Sequence, residues 1–299
     1  MLREFIKNIM FIALQWSFSD LVPFYQYLPT DIARRFRQTV KTRDTYYKTK
    51  CSERRTTYQE GTVRDLVDAL LTAYDRERAD YKGKDEIGTS DDIIFITMGL
   101  TIASSDTTTS SLTWFVLYMA LYQAEQKKVH EELDRVVGTD RALCWDDHEK
   151  LPYLQATVCE VIRHAFPLPI VGRTATRDTK IQGYKIPQGT TVLFNTWFIS
   201  YDPREWDEPE SFRPERFLGS DGNFVGWNAS TKFVPFGAGR RSCLGQTLAK
   251  MNLFVIASNV MHRFRLEIPK GGPAPSMEAA PGSVRYPKQY QIVARKRLQ

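Results

Sequence analysis

A chain of 299 residues with 42% hydrophobic and 25% charged side chains has the apolar content for the core of one or two domains, which excludes a disordered chain. Its formal net charge of +6 is mildly basic; it suits an acidic partner protein or an anionic membrane surface, and without a clustered patch it is no nucleic-acid signature. Four cysteines (Cys51, Cys144, Cys159 and Cys243) fit no zinc spacing and are too few for a disulfide framework, so they read as reduced thiols.

The opening "LREFIKNIMFIALQW" carries no secretory signal, and its apolar run, broken by Lys7 and Asn8, is too short to span a bilayer. The chain therefore reads as if it starts in mid-domain. "SDLVPFYQYLP" (19–29) is a proline-bracketed aromatic turn whose rings suit a membrane interface as well as a core. From Thr30 a long basic and polar helix is predicted. In "TVRDLVDALLTAY" (62–74) Leu66, Leu70 and Ala73 form the apolar stripe of an amphipathic helix, and "DRERADYKGKDEIG" follows as a charged, glycine-broken loop.

"TSDD" (89–92) offers a cap with acids in the first turn, and Ile93 to Tyr122 reads as one unbroken helix. Both its ends are apolar on nearly all faces, which predicts burial, while the centre "ASSDTTTSS" excludes a membrane span. "QAEQKKVHEELDRVVG" is a solvated helix ending at Gly138, and "LPYLQATVCEVIRHAFP" (151–167) a helix stopped by Pro167. "TKIQGYKIPQGTTVLFN" alternates like short strands, and "YDPREWDEPESFRPERFLGSDGN" is a long irregular loop. "LGQTLAKMNLFVIASNVMHRF" is an apolar helix; a Gly/Pro-rich loop (271–282) then leads to a last strand, "YQIVARKR". The terminal "ARKRLQ" reads as solvated charge. The sum is a mainly α fold with a small β side layer and no internal repeat.

One stretch asks for chemistry: "FVPFGAGRRSCLGQTLAK", Phe233 to Lys250. A thiolate just ahead of a helix is stabilised by unpaired N–H groups and the helix dipole. Gly237, Gly239 and Gly245 are placed to let backbone approach a flat ligand and to take positive φ, while Arg240 and Arg241 offer fixed charge to anionic groups. A lone cysteine is also an ordinary small hydrophobe. A phosphate cradle fails on spacing: no Gly-Lys-Ser/Thr follows, and Ser242 stands where a third fingerprint glycine belongs.

"FGAGRRSCLG" (236–245) resembles the heme-ligand loop of the cytochrome P-450 superfamily, and other segments agree in the family's order. Glu160 and Arg163 in "EVIR", with Arg216 in "FRPERF", resemble its buried ion-pair cluster; alone, an i, i+3 pair would be surface decoration. "ASSDTT" (103–108) resembles the oxygen-activation motif, with Asp106 and Thr107 in the proton-handling positions and Ala103 lining the cofactor. Hydroxyls in a buried helix also simply back-bond to carbonyls one turn earlier. The resemblance implies heme b (iron-protoporphyrin IX) with Cys243 as metal ligand. It places Phe236, Gly237 and Gly245 against the cofactor, Arg173 and Arg241 on its propionates, and Ile170 and Val171 on the substrate side.

The likeness runs from about residue 19 to the end and is strongest to microsomal animal members, the group with steroid 17-alpha-hydroxylases and drug-metabolising families. It implies a single partial P-450 domain over 1–299: helical roof and central helix in 1–138, then helix, small strands and ligand loop in 139–299. The implied function is a monooxygenase of a lipophilic small molecule using O2, at the endoplasmic reticulum with peripheral membrane contact. Electrons would come from an NADPH-cytochrome P-450 reductase or cytochrome b5, docked on Arg240, Arg241, Lys250, Lys127 and Lys128. Two departures weigh against ordinary activity. Ser104 replaces the usual glycine, and the family's anchor, first strands and early helices have no counterpart, so the chain looks N-terminally truncated. The rival readings are an inactive relative without productive heme, acting as an interaction partner, and a reductase-independent heme-thiolate isomerase or dehydratase.

Overall fold

The computed structural model describes residues 30–80, 90–138, 141–227, 232–282 and 284–297. The expectations for the first 29 residues, the aromatic turn among them, and for Thr89 as a cap lie outside these. The chain divides into two compact units, Met1–Ser105 and Asp106–Gln299.

In the first unit, α1 (Asp31–Thr56) is capped by the Thr30 hydroxyl, which accepts from the Ala33 N–H at 3.1 Å. Helix α2 (Leu66–Asp80) starts later than its apolar pattern, because Asp65 Oδ1 accepts the N–H groups of Val67 (3.0 Å) and Asp68 (3.2 Å). It also runs on through Asp75–Asp80, where a loop was expected. The predicted stripe is wrong as well: Leu66 and Ala73 are exposed, and Asp68 and Leu71 are buried. The Arg64 guanidinium explains the inversion. It forks onto the Asp68 carboxylate at 2.6 and 2.9 Å and makes an acid tolerable on the covered face.

Helix α3 (Ser90–Leu121) contains the division between the units. Its N-terminal part is not buried as its hydropathy predicted: Phe95 is 53% and Ile96 46% exposed. Hydropathy states a preference for cover and does not supply one. Its C-terminal half, in the second unit, is core, with Ser110, Trp114, Leu117 and Met119 all buried.

Helix α4 (Gln123–Val136) is amphipathic rather than solvated all round, and buries Gln126, Val129, Glu132 and Leu133. Its polar buried groups are connectors. Gln126 donates to the carbonyls of Met119 (2.6 Å) and Leu266 (2.8 Å) and accepts from the Leu266 N–H (2.8 Å). Glu132 accepts from the Tyr153 and Leu154 N–H groups (2.8 and 2.9 Å), the open end of α5 (Pro152–Ala165). Nearly all of α5 is buried, and it ends at Phe166, which takes a left-handed φ of 32° ahead of Pro167.

Strand β1 (Ile170–Thr174) pairs antiparallel with β4 (Thr191–Asn195), with Arg173 opposite Val192. Between them, β2 (Thr179–Ile181) and β3 (Tyr184–Ile186) form a hairpin. Its turn residues Gln182 and Gly183 both have positive φ (47° and 87°), as a strand-matching tight turn requires. The short α6 (Thr196–Tyr201) follows directly, capped by the Asn195 side chain.

Helix α7 (Gln246–Arg263) ends one residue before the expected Phe264 and passes straight into β5 (Phe264–Glu267), which pairs with β6 (Val293–Lys296). The described strands thus make three two-stranded antiparallel sheets beside a helical core, as the pattern predicted. The basic C-terminus is not all solvated: Arg297 holds Asp134 at 2.7 and 2.9 Å. Ser111, Leu112, Val158, Ile162 and Leu253 line an apolar seam where α3, α5 and α7 meet.

Candidate active site

Cys243 stands at the end of a tight loop three residues ahead of α7. The loop is shaped by its own backbone. The Gly237 N–H donates to Val234 O at 3.0 Å, Gly239–Arg241 forms one 3₁₀ turn, and the Cys243 N–H donates back to Phe236 O at 2.8 Å. Gly237 and Gly239 have φ of 71° and 70°, which side-chain-bearing residues rarely adopt. Gly245 does not share this role: as the N-cap of α7 its φ is −89°, and a methyl group there would meet nothing within 4 Å.

Cys243 is exposed, and Leu244 beside it is 85% exposed. Phe236 packs at 5.5 Å from the Trp227 ring, and Lys250 lies over both rings at 5.4 and 5.5 Å. Strand β1 brings Arg173 to the same loop, where its Nη2 donates to the Arg241 carbonyl at 3.3 Å. Arg173 thus reaches the backbone two residues ahead of the cysteine, and both arginines are exposed. Along β1, Ile170 is 57% exposed and Val171 half-buried.

The Glu160–Arg163–Arg216 cluster is assembled around α5. Glu160 and Arg163 are fully buried one turn apart, joined by Nε–Oε2 at 2.8 Å and Nη2–Oε1 at 2.9 Å. The remaining Arg163 donors reach the carbonyls of Ser200 (2.6 Å) and Pro209 (2.9 Å), and its guanidinium lies 5.0 Å over the Trp206 ring. The Arg213 N–H adds a further bond to Glu160 Oε1 at 2.9 Å. Arg216 Nε lies 3.4 Å from the same oxygen, a charge contact outside hydrogen-bond geometry, while its Nη2 donates to Glu208 O at 2.6 Å. Burial alone would lift the Glu160 carboxyl, but Arg163 and His164 outweigh it and hold it down to about 2. His164 escaped the sequence reading, since a histidine next to an arginine carries no signal of its own.

On α3, Asp106 and Thr107 begin the buried half, and the Thr107 carbonyl accepts from Ser111 Oγ at 2.9 Å. Upstream, Ala103 and Ser104 are exposed, and the Ser104 hydroxyl donates to the Thr101 carbonyl at 3.3 Å. Asp106 is 7% exposed. Its Oδ1 and its carbonyl both face the Tyr286 hydroxyl, at 2.8 and 2.9 Å, and its Oδ2 is buried without a partner. Burial pushes this carboxyl above the ordinary aspartate range, against the pull of Tyr286. Tyr286 also went unread; it follows a Gly/Pro-rich loop with no periodicity to announce it.

Known proteins carry the same frame. Steroid 17-alpha-hydroxylase/17,20 lyase of Ictalurus punctatus is 38% identical over 284 residues, 94% of this chain and 55% of the relative. Cytochrome P-450 2U1 of Rattus norvegicus is 36% identical over 280 residues, 93% of this chain and 52% of the relative. A zebrafish cytochrome P-450 solved with progesterone superposes with a TM-score of 0.80 at 34% identity, covering 90% of this chain and 61% of that one. The chain thus spans about half the length of the curated relatives it matches. The cytochrome P-450 family model itself matches residues 1–294, which leaves only the last few residues outside it, and the chain belongs to the cytochrome P-450 family.

Proposed function

We propose that the chain is a heme-thiolate monooxygenase that inserts one oxygen atom of O2 into a lipophilic small molecule, a steroid or a comparable xenobiotic. The observation that carries this reading is the exposed Cys243 thiol, presented at the head of α7 by a loop that needs positive φ at Gly237 and Gly239. The residues fit heme b. A single exposed cysteine suits an iron ligand, Arg173 from β1 and Arg241 from the loop offer guanidinium groups to two carboxylates, and the exposed Leu244 and Leu248 suit an apolar macrocycle. Phe236, Gly237 and Gly245 complete the proposed lining.

When bound, heme supplies a redox-active iron at which dioxygen is activated. The chain's own residues do the rest. Cys243 holds the metal, Asp106 takes up and releases a proton at a site where burial favours the neutral acid, and the Thr107 hydroxyl passes protons onward. The Glu160–Arg163–Arg216 cluster fixes the backing of the ligand loop. Ile170 and Val171 face the substrate. The basic residues Arg240, Arg241, Lys250, Lys127 and Lys128 attract an acidic electron donor, NADPH-cytochrome P-450 reductase or cytochrome b5. The proposed location is the endoplasmic reticulum membrane surface; among the described residues no helix is long and apolar enough to cross a membrane. The proposed unit is one partial P-450 domain over 1–299.

One observation favours a second reading, a relative without productive heme. Ile170, Leu193 and Phe194 are 57%, 63% and 46% exposed. Reduction under carbon monoxide, after expression with heme precursor, decides between the two. The monooxygenase reading expects the red-shifted Soret band of a thiolate-ligated complex, lost in Cys243→Ser; absence of the band in the parent chain establishes the second reading.

A further inference from the structure

The segment from Val284 to Tyr290 is fastened along one face of α3. The Arg285 carbonyl accepts from Trp114 Nε1 at 2.8 Å and from Ser110 Oγ, and the Arg285 N–H donates to Pro167 O at 2.9 Å. Further along, the Tyr290 hydroxyl donates to the Thr113 carbonyl at 2.6 Å. Tyr286 therefore hangs from a backbone held on both sides, and its hydroxyl arrives at Asp106 with little freedom of its own.

A phenol has one proton to give. Two acceptors of the same residue, Oδ1 and the main-chain carbonyl of Asp106, stand within reach of it. The shorter contact is to Oδ1, at 2.8 Å, and a proton given there pins the carboxyl to its own helix. The other oxygen, Oδ2, is buried and has no partner. An anion there is poorly solvated, whereas a neutral acid has its O–H free for whatever enters next to it. Among the described residues Tyr286 is the one charged or titratable group acting on this carboxyl.

We propose that Tyr286 is the positioning residue for Asp106: it ties Oδ1 down and leaves Oδ2 as the oxygen that takes up and hands on a proton. The inference rests on the reading of Asp106 as a proton carrier. The exchange is a proton on and the same proton off Oδ2, with no change in oxidation state. Tyr286 itself keeps its proton throughout, because burial and the adjoining carboxyl both push its ionisation upward.

The test is an infrared pH titration of the protonated carboxyl band, assigned by its loss in Asp106→Asn, on the full chain with or without heme. The band's midpoint lies above the ordinary aspartate range, and Tyr286→Phe moves it up by about one to two pH units, since a donor to the charged form has gone. An equal midpoint in both proteins overturns the inference, as does a parent chain with no Asp106-dependent band. Should Tyr286→Phe fail to fold, 3-fluorotyrosine at position 286, nearly isosteric and a stronger donor, moves the midpoint down; no movement there overturns the inference equally. The titration needs no bound cofactor. An unchanged midpoint beside a normal carbon monoxide spectrum sinks the role of Tyr286 alone, and a missing Soret band sinks the monooxygenase reading alone.

Discussion

Two buried carboxyls respond to acid in opposite senses. Glu160 is held down to about 2 by Arg163 and its other donors, so its contribution to stability is complete above the ordinary glutamate range and is lost as pH falls through about 2. Asp106 is pushed up by burial, so its contribution is complete at low pH and is lost as pH rises through its elevated value. Asp106→Asn is expected to remove a decline in stability with rising pH, read from urea midpoints across the mildly acidic range. Arg163→Ala leaves a fully buried carboxylate without its fork and costs about 3–5 kcal/mol, measured by urea unfolding at neutral pH. A loss under 1 kcal/mol would mean that the cluster is not closed in solution.

At the scale of elements, the cysteine loop separates its glycines by conformation rather than by type. Gly237→Ala and Gly239→Ala force a side chain into positive φ and are each expected to cost about 1–2 kcal/mol. Gly245→Ala, at φ −89° with open space around it, should stay within about 0.5 kcal/mol. Thermal unfolding of the three variants ranks them, and an equal cost at Gly245 would contradict the loop geometry. Helix α4 has a similar dependence on one side chain. Gln126→Ala takes the acceptor from the Leu266 N–H, while Gln123 Nε2 still donates to the Met119 and Leu266 carbonyls at 3.3 and 2.9 Å, with an expected loss of about 1–3 kcal/mol and faster hydrogen exchange at Leu266. Helices α3, α5 and α7 were legible because each carries its own apolar run, and α5 its stopping proline, within the segment itself. The face of α2 was not, because Arg64 screens Asp68 and so lets a charged residue take the covered side.

For the whole molecule, the same distinction decides what the chain declares about itself. The cysteine loop and the Glu160–Arg163 pair are compact motifs, and they were readable together with the family they mark. Tyr286 meets Asp106, and Gln126 meets Leu266, across 180 and 140 residues, and nothing local encodes such partners. The open apolar surface of the β1–β4 pair was equally unreadable, since exposure depends on what else packs there. Leu193 and Phe194 should make the chain self-associate at micromolar concentration. Leu193→Lys is expected to reduce the mass seen by light scattering without changing the far-ultraviolet spectrum.

The fastening of 284–290 along α3 has a consequence for biosynthesis. Trp114 and Thr113 leave the ribosome long before the residues that satisfy them, 171 and 177 positions downstream. A nascent chain arrested short of Val284 would hold the second half of α3 without its clasp, and such distant closures slow acquisition of the native state. Chaperone engagement should therefore persist until the final strand is translated and fall away with its release.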